Sequence, residues 1–192
     1  MIIIGITGFF CSGKSSVMQI FESAGAFTLG LDDLYADLLD VDANLQNKLQ
    51  GLLGRAVKID KEILRSGLSD NVFSIEELSD VTHPFIIQKL DEKIKQFRQK
   101  TGNGVLVVEV PLLYEAGLET MFDKVVVVAA ERRICLQRAV SRGYTESQAE
   151  MIMQAQMSID EKINRADYVI DNNKDMKNLE KQIGEFYAKE KK

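Results

Sequence analysis

The sequence is poor in the residues that cross-link small proteins or bind metal ions. Its 192 residues include two cysteines, Cys11 and Cys135, a single histidine, His83, and no tryptophan. Two cysteines do not make a disulfide framework, and their spacing is not that of a metal-binding pair, so they favour a reducing compartment. A chain of this length buries roughly 70% of its unfolded surface on folding, so it needs no such cross-link.

The sequence also lacks an excess of positive charge and any long apolar segment. Its net charge is −5 at pH 7, whereas proteins that bind duplex nucleic acid are usually basic. The longest apolar run of the second half, residues 125–130, is too short to span a bilayer. The apolar residues 1–6 carry no basic leader, which fits a strand better than a signal peptide. We therefore predict a cytoplasmic protein without a nucleic-acid or membrane partner.

Short apolar stretches recur along the chain and suit strands that are covered on both faces. The predicted strands are residues 2–6, 26–29, 105–110, 125–129 and 168–170. The main helical patterns between them are residues 14–24, 132–142 and 173–188. Strands that alternate with helices predict a three-layer α/β fold, in which helices flank a five-stranded parallel sheet.

The interval from residue 31 to residue 100 interrupts this alternation. It has little strand signal, and its helical patterns are residues 63–68, 75–78 and 85–97. We therefore predict a mainly helical insertion, which a loop at residues 101–104 (Thr-Gly-Asn-Gly) ends before the third strand. A second excursion, residues 145–165, is amphipathic, and Thr145 with Gln148 has the spacing of a capping box at the start of a helix.

Residues 8–15, Gly-Phe-Phe-Cys-Ser-Gly-Lys-Ser, form a phosphate-loop motif between a predicted strand and a predicted helix. In such a loop, backbone N–H groups and the N-terminus of the helix hold phosphate oxygens. Lys14 would reach the β- and γ-phosphates, and the Ser15 hydroxyl would bind Mg²⁺. The alternative is a glycine-containing turn with an exposed lysine. The predicted nucleotide-binding residues are Gly8, Cys11, Ser12, Gly13, Lys14, Ser15 and Ser16.

Phe9, Phe10 and Cys11 occupy positions where many phosphate loops carry glycine. If Cys11 requires a positive φ, that conformation is costly for a residue with a Cβ atom. Two interpretations stay open, a loop that closes less tightly and a family that tolerates the substitution.

Further motifs follow the phosphate loop along the chain. They are residues 82–84 (Thr-His-Pro), residues 110–115 (Val-Pro-Leu-Leu-Tyr-Glu), Arg138, Arg142, Gln156, Lys162 and residues 166–172 (Ala-Asp-Tyr-Val-Ile-Asp-Asn). Together with the loop, they resemble the dephospho-CoA kinase family over nearly the whole chain. The family pattern has Asp-Ala-Asp where this chain has residues 30–32, Gly-Leu-Asp, and it has an aspartate where this chain has Glu109.

The resemblance implies a P-loop NTPase fold and an enzyme that phosphorylates the ribose 3′-hydroxyl of dephospho-CoA with ATP and Mg²⁺. It implies a nucleotide-binding core (residues 1–30, 101–130 and 166–192), a coenzyme-binding insertion (residues 31–100) and a lid (residues 131–165). The implied catalytic residues are Asp32, Lys14, Arg138 and Arg142. The implied substrate contacts are Asp32, His83, Pro111 and Leu112, Asn172 joins the nucleotide site, and Ser15 and Glu109 serve the metal. The oligomeric state stays open.

Two carboxylates lie at the ends of predicted strands, and Asp32 follows its strand at the edge of the sheet where such folds bind ligands. Asp32 is suited to accept the proton of the attacking hydroxyl, although an aspartate there is as often a helix N-cap. The resemblance favours the catalytic role, and Asp33 stays an alternative base. Glu109 ends an apolar strand and needs a partner, either Mg²⁺ through water or a lysine. A solvent-facing carboxylate is the alternative.

The cationic candidates also have plain structural interpretations. Arg138 and Arg142 share a helix face, which fits a lid that closes over phosphates, but a solvated basic face is the alternative. His83 either contacts the coenzyme or shapes a turn into a helix that begins at Pro84. Met151, Met153 and Met157 are interpreted as packing residues.

Three other functions stay open. The first is another small-molecule or nucleoside monophosphate kinase, because a fold does not choose its substrate. The second is a GTPase-type switch, although residues 172–175, Asn-Asn-Lys-Asp, lack the spacer of an Asn-Lys-x-Asp motif. The third is a degenerate loop that binds nucleotide without turnover.

Overall fold

The computed structural model describes residues 1–100 and 104–190. The chain divides into two compact units, Met1–Gly30 with Phe97–Lys192, and Leu31–Gln96. We call them the sheet unit and the helical unit and describe each by itself. The loop predicted at residues 101–104 falls mostly on residues 101–103, outside the described residues.

The sheet unit contains the predicted five-stranded parallel sheet. The strands are β1 (Ile2–Gly8), β2 (Phe27–Gly30), β3 (Val105–Glu109), β4 (Lys124–Ala129) and β5 (Tyr168–Asp171). Their order across the sheet is β2-β3-β1-β4-β5, and every neighbouring pair is parallel. All five strand predictions are therefore confirmed. β1 lies at the centre, where Ile3, Ile4 and Ile6 are fully buried, as its unalternating apolar sequence predicts.

Helices account for most of the remaining described residues. They are α1 (Lys14–Ser23), α2 (Leu31–Val41), α3 (Ala43–Leu53), α4 (Lys61–Ser69), α5 (Ile75–Lys100), α6 (Arg132–Ser141), α7 (Glu146–Gln154), α8 (Ile159–Arg165) and α9 (Met176–Glu190). A short 3₁₀ helix, Glu119–Met121, precedes β4. α1 and α9 pack on the sheet. Val17 and Phe21 of α1 and Ile183 of α9 belong to one buried apolar cluster with residues of the strands. None of the helices described is long and apolar enough to cross a bilayer.

The helical unit folds around leucines spaced at helical intervals. Its buried core contains Leu38, Leu39, Leu45, Leu49, Leu53, Ile59, Leu64 and Phe73. Aspartates begin two of its helices: Asp42 accepts the Leu45 N–H at 2.9 Å, and Asp60 accepts the Ile63 N–H at 2.8 Å. Such caps satisfy N–H groups that have no partner within the helix. The prediction of a mainly helical segment after β2 is confirmed.

The prediction that a helix begins at Pro84 is wrong. α5 runs from Ile75 to Lys100 with Pro84 inside it, and it joins two segments that were predicted separately. Proline in a helix interior removes one backbone hydrogen bond and costs about 3 kcal/mol. Burial of Thr82 before it, and of Leu90 and Ile94 after it, offsets that cost. Packing therefore keeps the helix continuous although proline disfavours a helix interior.

Residues 145–165 contain two helices. The predicted capping box is confirmed: the Thr145 hydroxyl accepts the Gln148 N–H at 3.2 Å, and the Gln148 side chain accepts the Thr145 N–H at 2.9 Å. The start of α8 was not predicted, although Ser158 and Glu161 have the same spacing and form a second capping box.

Candidate active site

The phosphate loop connects β1 to α1, and Gly13, the residue before α1, has a backbone conformation that favours glycine. Gly13 has φ 98° and precedes the first residue of α1. A Cβ atom on Gly13 would lie 2.1 Å from Asn172 Nδ2. The backbone is therefore packed directly against Asn172, as a close cradle requires.

Cys11 adopts the positive φ that the sequence left in question. Its φ is 56°, a strained conformation for a residue with a Cβ atom. Cys11 is buried in an apolar cluster with Phe9, Cys135 and Ala139. The Ser12 N–H also donates to the Phe9 carbonyl at 3.1 Å and closes a turn around Cys11. Packing and this turn offset the strain.

Two side chains hold the loop by the carbonyl of Ser12. Asn172 Nδ2 donates to that oxygen at 2.7 Å and Arg138 Nη1 at 3.1 Å. Arg138 Nη2 also donates to the Asn172 carbonyl at 3.0 Å. In a trans peptide the C=O and the following N–H point in opposite directions. These contacts therefore direct the Gly13 N–H away from Arg138 and Asn172.

Lys14 is a buried cation beneath the loop. Its side chain is only 9% exposed, and Nζ donates to the carbonyls of Phe9 at 3.1 Å and Gly8 at 3.3 Å. Burial lowers the pKa of Lys14, the Glu109 carboxylate opposes this by raising it, and the Lys162 ammonium lowers it further. Lys14 and Glu109 therefore attract each other within the sheet unit.

A cleft opens beside the loop and α6. Its lining includes Gly13, Ser16, Arg138, Arg142, Asn172 and Lys174. Arg142 is exposed and places Nη1 3.8 Å from Cys11 Sγ. Because Arg138 and Arg142 both contact the phosphate loop, they do not form a merely solvated basic face. Ser15 is exposed at the start of α1.

The connection from β3 to β4 borders the same region. The Pro111 carbonyl accepts hydrogen bonds from Thr7 Oγ1 at 3.1 Å and from Lys162 Nζ at 3.3 Å. The Leu112 side chain is 45% exposed, so it is available for contact. Lys162 and Gln156 were noticed in the sequence only as parts of a resemblance and were given no role. For Lys162, a signal was available in the sequence. Its spacing from Ile159 and Ile163 places all three residues on one helix face, which indicates that Lys162 faces the interior.

Asp32 and His83 belong to the helical unit. Asp32 is an exposed residue and the second residue of α2, so it is not the N-cap of that helix. Its carbonyl accepts a hydrogen bond from Lys61 Nζ at 3.3 Å. The negative charge of Asp32 in the first turn suits the helix dipole. His83 is exposed inside α5.

The parallel sheet and the phosphate loop define a protein of the P-loop nucleotide-binding class. The family model of dephospho-CoA kinase matches residues 2–178. A dephospho-CoA kinase of Protochlamydia amoebophila is 33% identical over 96% of this chain and 94% of its own length. The chain belongs to the dephospho-CoA kinase family.

Solved structures share the fold of this chain. A crystal structure of a Thermus thermophilus protein matches with a TM-score of 0.80 and 29% identity, covering 98% of this chain and 97% of that one. A dephospho-CoA kinase from Campylobacter jejuni has the same fold, with a TM-score of 0.72 at 24% identity over 98% of this chain and 96% of that one.

Family membership makes this chain a nucleotide-binding kinase of coenzyme A biosynthesis that phosphorylates dephospho-CoA. ATP use follows from membership of a kinase family. The predicted family, fold and activity are thereby confirmed, and the GTPase-type switch is set aside.

Proposed function

We propose that this chain transfers the γ-phosphoryl group of ATP to the ribose 3′-hydroxyl of dephospho-CoA, with Mg²⁺, in the cytoplasm. The observation that carries the proposal is the phosphate loop, because Lys14 is buried beneath it and Gly13 leaves no room for a side chain. Phosphoryl transfer asks the protein mainly for positioning and charge neutralisation, and these residues offer both.

The loop residues fit a bound phosphate. Ser12 is fully buried, and its Oγ has no hydrogen-bond partner within the described part of the chain. A buried hydroxyl without a partner is costly, and a phosphate oxygen would satisfy it. We assign the remaining phosphate contacts to the backbone of residues 8–16, with Lys14 at the phosphoryl group and Asn172 beside the loop.

Mg²⁺ would neutralise charge on the phosphates and orient them. We assign its protein contacts to the Ser15 hydroxyl and, through water, to Glu109. No group of three or more His, Cys, Asp or Glu side chains suited to a metal occurs among residues 1–100 and 104–190. This fits Mg²⁺, which usually takes one or two protein ligands and completes its shell with water and phosphate.

The remaining roles concern the acceptor and the lid. We assign Asp32 as the base that accepts the proton of the 3′-hydroxyl, with Asp33 as the alternative. His83, Pro111 and Leu112 are assigned to dephospho-CoA contacts. His83 lies in residues 31–100, which we assign as the substrate-binding insertion. Residues 131–165 are assigned as a lid, in which Arg142 neutralises the transferring phosphoryl group. Arg138 contributes by holding the Ser12 carbonyl.

The test is ADP release with Mg²⁺ and ATP, comparing dephospho-CoA with shikimate, pantothenate, AMP and CMP. We expect turnover with dephospho-CoA alone, and a product with the mass of coenzyme A. Turnover with another acceptor would instead favour a different small-molecule or nucleoside monophosphate kinase. Tight ATP binding without transfer to any acceptor would indicate a loop that has lost catalysis.

A further inference from the structure

Residues 156–162 run from the end of α7 into α8 and contact two other parts of the site. At one end, the Gln156 side-chain oxygen accepts the Phe10 N–H of the phosphate loop at 2.9 Å. At the other end, Lys162 Nζ lies 3.3 Å from the Pro111 carbonyl and 2.8 Å from Glu115 Oε1. We call residues 156–162 the bridging segment.

Lys162 is the most deeply buried cation at the site. Its side chain is 0% exposed, whereas that of its partner Glu115 is 21% exposed. A buried ion pair is often no more stable than apolar residues of similar volume. Packing alone therefore does not explain why a lysine occupies this position. We ascribe its presence to the specific polar contacts that it makes.

Those contacts fix residues 110–118, the loop between β3 and the 3₁₀ helix, which we call the Pro111 loop. The Pro111 carbonyl accepts from Lys162 and also from Thr7, the residue that directly precedes the phosphate loop. Glu115 Oε1 accepts both the Lys162 ammonium and the Met157 N–H, the latter at 2.9 Å. The bridging segment is thus attached to this loop by a side chain and by its own backbone.

The opposite end fixes the phosphate loop next to its strained residue. Phe10 immediately precedes Cys11, and its ring packs edge-on against Tyr144 with centroids 5.2 Å apart. The Gln156 contact holds the N–H of the Phe9–Phe10 peptide, and the carbonyl of the same peptide accepts the Ser12 N–H at 3.1 Å. Both polar groups of this peptide are therefore fixed, and the second contact closes the turn around Cys11.

We propose that Lys162 and Gln156 are positioning residues for phosphoryl transfer, because the bridging segment fixes the phosphate loop and the Pro111 loop to each other. The proposal rests on the proposed function, since both loops border that site. Lys162 acts through the Pro111 carbonyl, and Gln156 acts through the Phe10 N–H. A displacement of about 1 Å between reacting groups can slow an enzyme by about 10²-fold.

The electrostatics also link Lys162 to Lys14. Its charge is one of the causes that lower the pKa of Lys14, after burial and against the opposing effect of Glu109. Lys162 therefore lies close enough to Lys14 for their charges to interact.

The experiment compares kcat, both KM values and the melting temperature of the wild type with those of five variants. They are Lys162→Met, Glu115→Gln, the double variant, Lys162→Arg and, as a control, Lys181→Met. Lys181 forms an exposed ion pair on α9, so its removal should change nothing. We expect Lys162→Met to lower both kcat, by about 30-fold, and the melting temperature, and Lys162→Arg to recover most of the rate.

The double variant separates positioning from simple stabilisation. It removes both charges, so it should recover the melting temperature that Lys162→Met loses to an unpaired carboxylate. It does not restore the contact with the Pro111 carbonyl, so kcat should stay low. Recovery of kcat together with the melting temperature would overturn the proposal, because the ion pair would then serve stability alone.

Gln156 is tested by nucleotide binding, which does not depend on the acceptor. We expect Gln156→Leu to weaken binding of a non-hydrolysable ATP analogue about tenfold, since it leaves the Phe10 N–H unpaired. An unchanged affinity would overturn the positioning role of Gln156. A wild type that binds the analogue but phosphorylates nothing would contradict the proposed function. The Gln156 result would still decide whether the bridging segment positions the phosphate loop.

Discussion

The two units carry their candidate site residues in opposite ways. In the sheet unit, Lys14 and Asn172 are buried and tied to the phosphate loop by hydrogen bonds of 2.7–3.3 Å. In the helical unit, Asp32 and His83 are exposed residues on helices whose core consists mainly of leucines. The sheet unit therefore buries the residues at the centre of its candidate site and exposes others, such as Ser15 and Arg142, whereas the helical unit displays Asp32 and His83 on its surface.

This difference separates function from stability in one unit and couples them in the other. A buried polar group must be paired, so replacing it changes the stability of its neighbours as well as the chemistry. Exposed residues usually change the free energy of unfolding by less than about 0.5 kcal/mol when they are replaced. Measuring kcat and melting temperature together on variants of both units tests the comparison.

The largest effect is expected for Lys14→Met. It removes the cation assigned to the transferring phosphoryl group, so kcat should fall by about 10³-fold. Burial lowers the pKa of Lys14 below its ordinary 10.5, so the unfolded chain binds more protons between the two pKa values. Wild-type stability should therefore rise with pH across that window, and the rise should vanish in the variant.

Denaturant unfolding at a series of pH values measures this effect, with Lys181→Met as the matched control. Parallel stability curves for the wild type and Lys14→Met would show that Lys14 is not coupled to the fold. The comparison between the units would then lose its main support.

Asp32→Asn should cost somewhat less activity, with little cost in stability. Loss of a general base typically lowers the rate by at least about 10²-fold. Asp32 is exposed on the first turn of α2, so the melting temperature should fall only by the small contribution of its charge to the helix dipole. The neighbouring Asp33→Asn is the control and should keep its activity. If Asp33→Asn is the inactive variant, the base is Asp33.

Much of the fold could be predicted because its signals are local. Unalternating apolar runs identified three strands and shorter apolar stretches the other two, and the phosphate loop is a single continuous motif between a strand and a helix. The continuity of α5 through Pro84 could not be predicted, because tertiary burial around Leu90 and Ile94 overrides the preference of proline.

The contacts that organise the site could not be predicted from the sequence either. Phe10 and Gln156 are 146 positions apart, and Ser12 and Asn172 are 160 apart. Periodicity and spacing describe neighbours along the chain, so they cannot pair such residues. The resemblance indicated Arg138 and Asn172 as candidate site residues. Only the folded chain shows that both donate to the Ser12 carbonyl.

Arg142→Ala should have an intermediate effect, because Arg142 is exposed yet contacts the loop through Cys11. We expect kcat to fall by about 10²-fold, as when one donor to a developing charge is removed. The KM for dephospho-CoA should change much less. Arg133→Ala, which removes an exposed arginine of the same helix, is the control. A change in KM alone would assign Arg142 to substrate binding.

The smallest effect is expected for His83→Gln on the surface of the helical unit. If His83 contributes one hydrogen bond to dephospho-CoA, its loss should raise the KM about fivefold, the equivalent of ~1 kcal/mol. kcat and the melting temperature should stay at wild-type values, because His83 is exposed and Pro84 beside it is already accommodated in α5. Lys93→Gln, on the same helix, controls for a general change of surface charge. A lower melting temperature would mean that His83 supports the helix around Pro84, and the helical unit would then couple function to stability as the sheet unit does.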